Sequence, residues 1–214
     1  PIVAEHAVGL MFAVAKRAAF QTAAVRSGQW IRVDSLFLQG KTLGVIGTGN
    51  IGSETARLAY AIGMKVIAWT YHPSSQRAAE LGVTFVELDE LLERADVVSL
   101  HLKLTDQSRY IIGKNELSIM KPEAILINVG RGALVDEEAL AEALMSGQLA
   151  GAGIDVFEVE PLPAENPLRS CDQVVLTPHC ADMTPEGVEL LNEGVVDNVV
   201  AFFKGEPKNI VHSS

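Results

Sequence analysis

The sequence predicts an α/β fold in which a parallel sheet of about seven strands is covered by helices on both faces. Three observations carry this. Short runs rich in Val, Ile and Leu, such as "TLGVIG" and "AILINV", are apolar at successive positions, so both faces of each strand are buried. These runs alternate with helical patterns along most of the chain. One of them ends in "GTGNIG" (Gly47–Gly52), three glycines directly at a strand-to-helix junction.

The first segment, Ala4–Gly28, is Ala-rich, with little turn chemistry before Ser27–Gly28. It reads as one long helix, apolar nearly all round at its start, and therefore buried between layers or subunits. "TLGVIG" then precedes a helix over Asn50–Gly63, and "KVIAW" precedes one near Ser75–Leu81. "VTFV" leads to the helix Glu87–Ala95, followed by "DVVSLHL". A helix around Lys114–Met120 is followed by "AILINV", the helix Asp136–Ser146, "GAGIDVF" and "QVVLT". A final helix over Thr184–Lys204 is ended by Gly205 and Pro207. The expected organisation is an interdomain helix at 1–28, a nucleotide-binding domain at 29–183 and a C-terminal helix and tail at 184–214.

Composition narrows the function classes. The 214 residues hold 17 basic and 27 acidic side chains, a formal charge of −10. That excess argues against nucleic acid or an anionic membrane surface as partner. The longest apolar run, Ala7–Ala15, is too short to span a bilayer, and no basic stretch precedes an apolar one. Cys171 and Cys180 give neither a disulfide framework nor a metal spacing, so no metal is expected and a cytoplasmic setting fits. The chain opens on Pro1 rather than Met, which suits a fragment or a trimmed form.

The glycine loop makes the expected fold a Rossmann-type doubly wound sheet. Gly47 permits the tight turn, Gly49 lets a pyrophosphate approach the backbone, and Gly52 lets helix pack on strand. The amides of Asn50 and Ile51 then face the phosphates. An NAD site of this kind ends its second strand in Asp or Glu, which grips the ribose. Here Thr70 holds that position, and no acid follows before Glu80. NAD and NADP both stay open: Ser74, Ser75 and Arg77 can bind a ribose phosphate, or Arg77 is a solvated helix residue and Thr70 bonds an NAD ribose.

Three polar sites follow strands. In "NVGRGALVDEEAL", Arg131 lies at the carboxyl edge of the sheet, where open α/β folds bind ligands. Its planar fork suits a carboxylate, although pairing with Asp136 or Glu137 is the plainer alternative. "DVFEVEPLP" offers Asp155, Glu158 and Glu160, and "LTPHCADMTPEG" offers His179. An Arg, an acid and a His at three strand ends suit hydride transfer coupled to proton transfer.

"GTGNIG", "NVGRGALVDEEAL", "GAGIDVFEVEPLP" and "TPHCADMT", in this order and spacing, resemble the D-isomer-specific 2-hydroxyacid dehydrogenases over nearly the whole chain. The resemblance implies that Arg131 binds the substrate carboxylate and carbonyl, that Glu160 pairs with the catalytic His, and that His179 donates and accepts the proton. It implies a nicotinamide end of the cofactor site made by Leu102, Val129, Gly130, Asp155, His179 and Ala181. It implies a small 2-keto or 2-hydroxy acid as substrate, glyoxylate, hydroxypyruvate or 3-phosphoglycerate among them, and a homodimer formed through the first helix. It further implies a substrate-binding segment of about a hundred residues, typical of a domain, ahead of this chain. His6, in the first helix, is then a packing or interface residue.

The sequence departs from the family pattern at Lys103, where Pro is common, and at Cys180 and Asp182 after the His. Asp182 puts a charge close to His179 or faces solvent. The rival to an enzyme is a non-catalytic, NAD(H)-binding corepressor-like protein of the same fold.

Overall fold

The structure is a computed structural model that describes residues 1–210; the last four residues of the expected tail lie outside the described residues. One compact unit runs from Val3 to Ala181, and a second begins at Asp182. The first unit holds a sheet of seven parallel strands: β1 (Thr42–Ile46), β2 (Lys65–Trp69), β3 (Thr84–Phe85), β4 (Val97–Leu100), β5 (Ile125–Asn128), β6 (Gly151–Ile154) and β7 (Val174–Leu176). Their order is β3-β2-β1-β4-β5-β6-β7, the doubly wound arrangement expected, with the chain reversing direction across the sheet between β1 and β4.

Strand alternation builds two cores, one on each face. Ile46 and Leu126 point into one, with Leu91 and Leu92 of α5 (Leu88–Arg94), Leu117 of α6 (Lys114–Ile119) and Leu140 and Leu144 of α7 (Glu137–Ser146). Leu43, Val45, Ile125 and Ile127 point into the other, with Leu10, Met11 and Val14 of α1 (Ile2–Ala15) and Ala56 and Ala59 of α3 (Asn50–Ala61). Glycine in strands sets how closely helices approach. A Cβ on Gly44 would lie 2.5 Å from Leu91, and one on Gly153 would lie 3.0 Å from Leu10. Gly153, with Gly151, where a Cβ would lie 2.7 Å from Val14, lets α1 bury itself on its own sheet, whereas Gly44 admits α5 on the other face.

The expected single helix over Ala4–Gly28 is corrected to two. The chain bends by 58° between α1 and α2 (Ala18–Arg26). The break needs no Gly or Pro. Arg17 takes a left-handed conformation (φ 52°), the Gln21 amide donates to the freed Lys16 carbonyl at 2.7 Å, and the Lys16 ammonium donates to the Leu36 carbonyl at 2.7 Å. Residues of α1 cover the sheet, whereas α2 buries only Ala24, so the chain turns where apolar cover ends. No single helix among the described residues is long and apolar enough to cross a membrane.

Elsewhere caps stand where polar residues and glycines mark them. Ser74 accepts from the Arg77 amide at the start of α4 (Ser75–Leu81), and Asp136 accepts from the Ala139 amide at the start of α7, which Gly147 ends at φ 78°. In the second unit, the Thr184 hydroxyl accepts from the Gly187 amide to open α8 (Pro185–Phe203), with Pro185 in its first turn.

Candidate active site

Strand register gathers the site. Trp69, Ile46, Leu100, Asn128, Ile154 and Leu176 stand opposite one another across six strands. The residues that follow them, Thr70, Gly47, Leu102, Val129, Asp155 and His179 among them, therefore emerge along one edge, the carboxyl edge of a parallel sheet.

At the β1 end, the three glycines have different roles. Gly47 has φ 94°, its amide donates to the Trp69 carbonyl at 2.8 Å, and a Cβ there would meet the His101 carbonyl at 2.9 Å. A Cβ on Gly52 would lie 1.9 Å from the Gly47 carbonyl, so α3 packs against the turn only through glycine. Gly49 has an ordinary φ of −67°, and a Cβ there would meet nothing within 4 Å. It caps α3 without a side-chain bond, which leaves the first amides of the helix, from exposed Asn50 and Ile51, pointing outward. These donors, the helix dipole and the open space over Gly49 fit a pyrophosphate. Arg77 lies against the same loop: its Nη2 donates to the Thr48 carbonyl at 2.8 Å and to Ser53 Oγ at 2.9 Å. Its Nη1 also lies 3.7 Å from Glu80 Oε2, one turn on in α4.

Behind the loop, the His101 ring contacts Ser99 Oγ through Nε2 at 2.9 Å and buries Nδ1 without a partner. Burial lowers its pKa to about 3. The folded ring thus stays neutral where an unfolded His, near 6.5, takes a proton, so the unfolded state binds more protons below pH 6.5. Stability should fall by about 1.4 kcal/mol per pH unit from pH 6.5 toward 3 on account of this residue. Urea unfolding at pH 6.5 and 5 should show a smaller loss in His101→Gln than in the parent chain; equal losses would overturn the assignment.

At the β5 end, buried Asn128 clamps the Arg131 loop. Its Oδ1 accepts from the Gly130 amide and its Nδ2 donates to the Arg131 carbonyl, both at 3.0 Å. Its only mark in the sequence is a polar residue ending an apolar strand. Val129 is buried, and a Cβ on Gly130 would come within 3.2 Å of the Leu102 carbonyl, so the β4 and β5 ends touch. Arg131 is exposed, donates to the Gly130 carbonyl at 2.6 Å, and has no carboxylate within 4 Å among the described residues. Asp136 instead caps α7, and Glu137 accepts from the Glu158 amide and Asn166. A Cβ on Gly132 would lie 1.9 Å from Phe157, which brings the Arg131 loop onto the acidic loop.

The three acids of that loop have separate partners. Glu160 Oε2 lies 2.7 Å from His179 Nδ1, and its Oε1 accepts from the Phe157 amide at 2.9 Å. Burial raises the Glu160 pKa, but the bonds from His179 and Phe157 and the charge of the ring outweigh it and hold the carboxyl below its usual range. Glu158 accepts from Arg109 at 3.1 Å and from Tyr110 at 2.6 Å. Asp155 is fully buried, and its carboxylate accepts from the Cys180 and Ala181 amides. The arrangement leaves His179 Nε2 as the ring atom directed away from Glu160.

Residues 8–181 match the family described as D-isomer specific 2-hydroxyacid dehydrogenase, NAD binding domain. The chain belongs to this family. Among D-isomer specific 2-hydroxyacid dehydrogenases, it is 42% identical over 219 residues to a glyoxylate reductase of Thermococcus litoralis, covering 98% of this chain and 66% of the relative. It is 44% identical over 202 residues to a hydroxypyruvate reductase of Thermotoga maritima, covering 90% of this chain and 65% of that one. A solved glyoxylate reductase from Paecilomyes thermophila superposes with a TM-score of 0.86 at 38% identity, covering 94% of this chain and 61% of that structure. The chain thus spans less than two thirds of the length of these relatives.

Proposed function

We propose that this chain carries the nucleotide-binding and proton-transfer parts of an oxidoreductase that interconverts a 2-keto acid and a D-2-hydroxy acid. The observation that carries it is the 2.7 Å contact of His179 Nδ1 with Glu160, at the same sheet edge as an Arg131 that has no carboxylate partner among the described residues. Gly47, Gly49, Asn50, Ile51 and Gly52 hold the pyrophosphate, Thr70 meets the ribose, and Leu102, Val129, Gly130 and Ala181 line the nicotinamide end, with Asp155 behind. A nicotinamide bound there would supply or accept the hydride. Arg131 binds the substrate carboxylate in a bidentate grip, and His179 Nε2 passes a proton to the carbonyl oxygen during reduction.

The names of the relatives make glyoxylate and hydroxypyruvate the first substrates to test. The two-domain protein, meaning this chain with the substrate-binding segment that the resemblance implies, should consume nicotinamide absorbance with one of them. The 214 residues alone should bind cofactor and turn over poorly, because substrate positioning and water exclusion are lost and the exposed apolar face of α8 stays uncovered. Intact cofactor binding without turnover of any 2-keto acid by the two-domain protein would favour the corepressor-like alternative.

NADP is the cofactor supported best. No acid at the end of β2 repels a ribose phosphate, and Arg77 is held at the rim of the loop by two bonds from Nη2, with Glu80 3.7 Å from its Nη1. Arg77→Ala should weaken NADPH roughly 10–100-fold, the 1.5–3 kcal/mol of a charge-assisted bond, and leave NADH nearly unchanged. Equal weakening of both dinucleotides in calorimetric titration would overturn this choice.

Self-association as a homodimer belongs to the proposal, but on a different surface from the α1 face, which its own sheet covers. Trp30, Ile31 and Phe37 are exposed between α2 and β1. Replacing Trp30 and Phe37 with Ser should give a monomer by sedimentation; a parent chain that is monomeric at every concentration would remove the dimer. Cys171 and Cys180 are both free, in keeping with a cytoplasmic setting.

A further inference from the structure

The turn that carries His179 is mounted on a buried network that reaches into α1. His179 itself has φ 52°, a left-handed backbone that a residue with a Cβ rarely adopts. Its amide donates to the Asp155 carbonyl at 2.7 Å. The next two amides donate to the same residue's carboxylate, Cys180 to Oδ1 at 3.0 Å and Ala181 to Oδ2 at 3.1 Å. Three successive amides are thus held by one aspartate, and Asp155 is 0% exposed.

A fully buried carboxylate needs more than amides around it. Thr177 Oγ1 donates to Asp155 Oδ1 at 2.5 Å, and His6 Nε2 lies 3.1 Å from Thr177 Oγ1 and 3.3 Å from Asp155 Oδ1. Among the described residues, His6 is the one side chain able to carry positive charge within 4 Å of that carboxylate. With Nε2 protonated, it donates to both oxygens at once. Cys180 Sγ, 3.7 Å from Oδ1, completes the surroundings. The same His, Asp and Cys atoms lie close enough together for a metal, but the carboxylate is already occupied by amide and hydroxyl donors, which argues for a mount rather than an ion site.

We propose that His6 is a positioning residue for His179, acting through Asp155 and Thr177 to hold the left-handed turn that aims the ring at Glu160. This rests on reading His179 as the acid/base group, but it concerns the ring's orientation and is testable without turnover. In the 214-residue chain, long-range proton–nitrogen NMR reads the tautomer and hydrogen bonding of the His179 ring. His6→Ala should shift the His179 nitrogen pattern toward that of a mobile ring with mixed tautomers. Thr177→Val, which keeps the shape and removes the hydroxyl, should do the same. His6→Gln keeps a donor at the same reach and should restore the parent pattern. In the two-domain protein, His6→Ala should lower kcat roughly tenfold or more and leave the cofactor Kd unchanged. A His179 pattern unmoved in both His6→Ala and Thr177→Val would overturn the mount. A moved pattern with unchanged kcat would uphold the mount and instead count against His179 as the proton donor.

Discussion

Gly49→Val is expected to leave the chain folded and to abolish binding of NADH and NADPH. The three glycines of the loop separate the two effects. Gly47 needs its positive φ, and Gly52 has the Gly47 carbonyl 1.9 Å from where a Cβ would stand, so substitution at either damages the fold. Gly49 has neither constraint: its φ is −67° and a Cβ would project into open space. The cost to folding is that of a poorer helix cap, about 1 kcal/mol, or about 2–4 °C in Tm. That same open space, over the first amides of α3, is where a pyrophosphate reaches the backbone, and a branched side chain there blocks it. The affinity loss should exceed about 100-fold, or roughly 2.7 kcal/mol. Calorimetric titration beside a thermal melt reads both quantities. Undiminished affinity in a folded Gly49→Val chain would remove the pyrophosphate assignment, and a collapse of the melt would show that Gly49 is structural.

The sheet was legible because strands buried on both faces and helices buried on one write different periods into the sequence. The seven strands and the Ser75–Leu81 helix stand where those periods and caps put them. The break at Arg17 was not legible, because nothing local forces it: it arises where the apolar cover of the sheet ends, and its bonds come from Gln21 and Leu36. The same distinction runs through the site. Arg131, Glu160 and His179 could be singled out as polar residues following strands, and the contact of Glu160 with His179 joins two loops 19 residues apart. The Asn128 clamp and the His6–Asp155 network could not, since each side chain's partner is fixed by register and packing rather than by neighbours in the chain. Nor could the role of Gly132, the point where a Cβ would drive the Arg131 loop off Phe157.

Replacing His179 in the two-domain protein should lower turnover by roughly 10²–10⁴ for His179→Ala, the range of general acid–base catalysis. Glu160→Gln should act in a distinct way. The Phe157 amide already donates to Oε1 at 2.9 Å, so the Gln oxygen should keep that bond and turn its NH₂ toward His179 Nδ1. Nδ1 must then accept, which favours the neutral ring with its proton on Nε2, and the imidazolium loses the carboxylate that stabilises it. The alkaline limb of the reduction profile, along which the proton-donating ring is lost, should therefore move to lower pH, with a smaller loss at the optimum than in His179→Ala. The parent carboxylate has its own limit: the Glu160 carboxyl titrates below the ordinary range, so it stays ionised at neutral pH and loses its charge as pH falls through that depressed value. Glu158 gives the control, because its carboxylate is bonded to Arg109 and Tyr110 rather than to the ring. Glu158→Gln should leave the profile in place. A profile that moves in Glu158→Gln and stays fixed in Glu160→Gln would mean that the working enzyme pairs its histidine with the other acid.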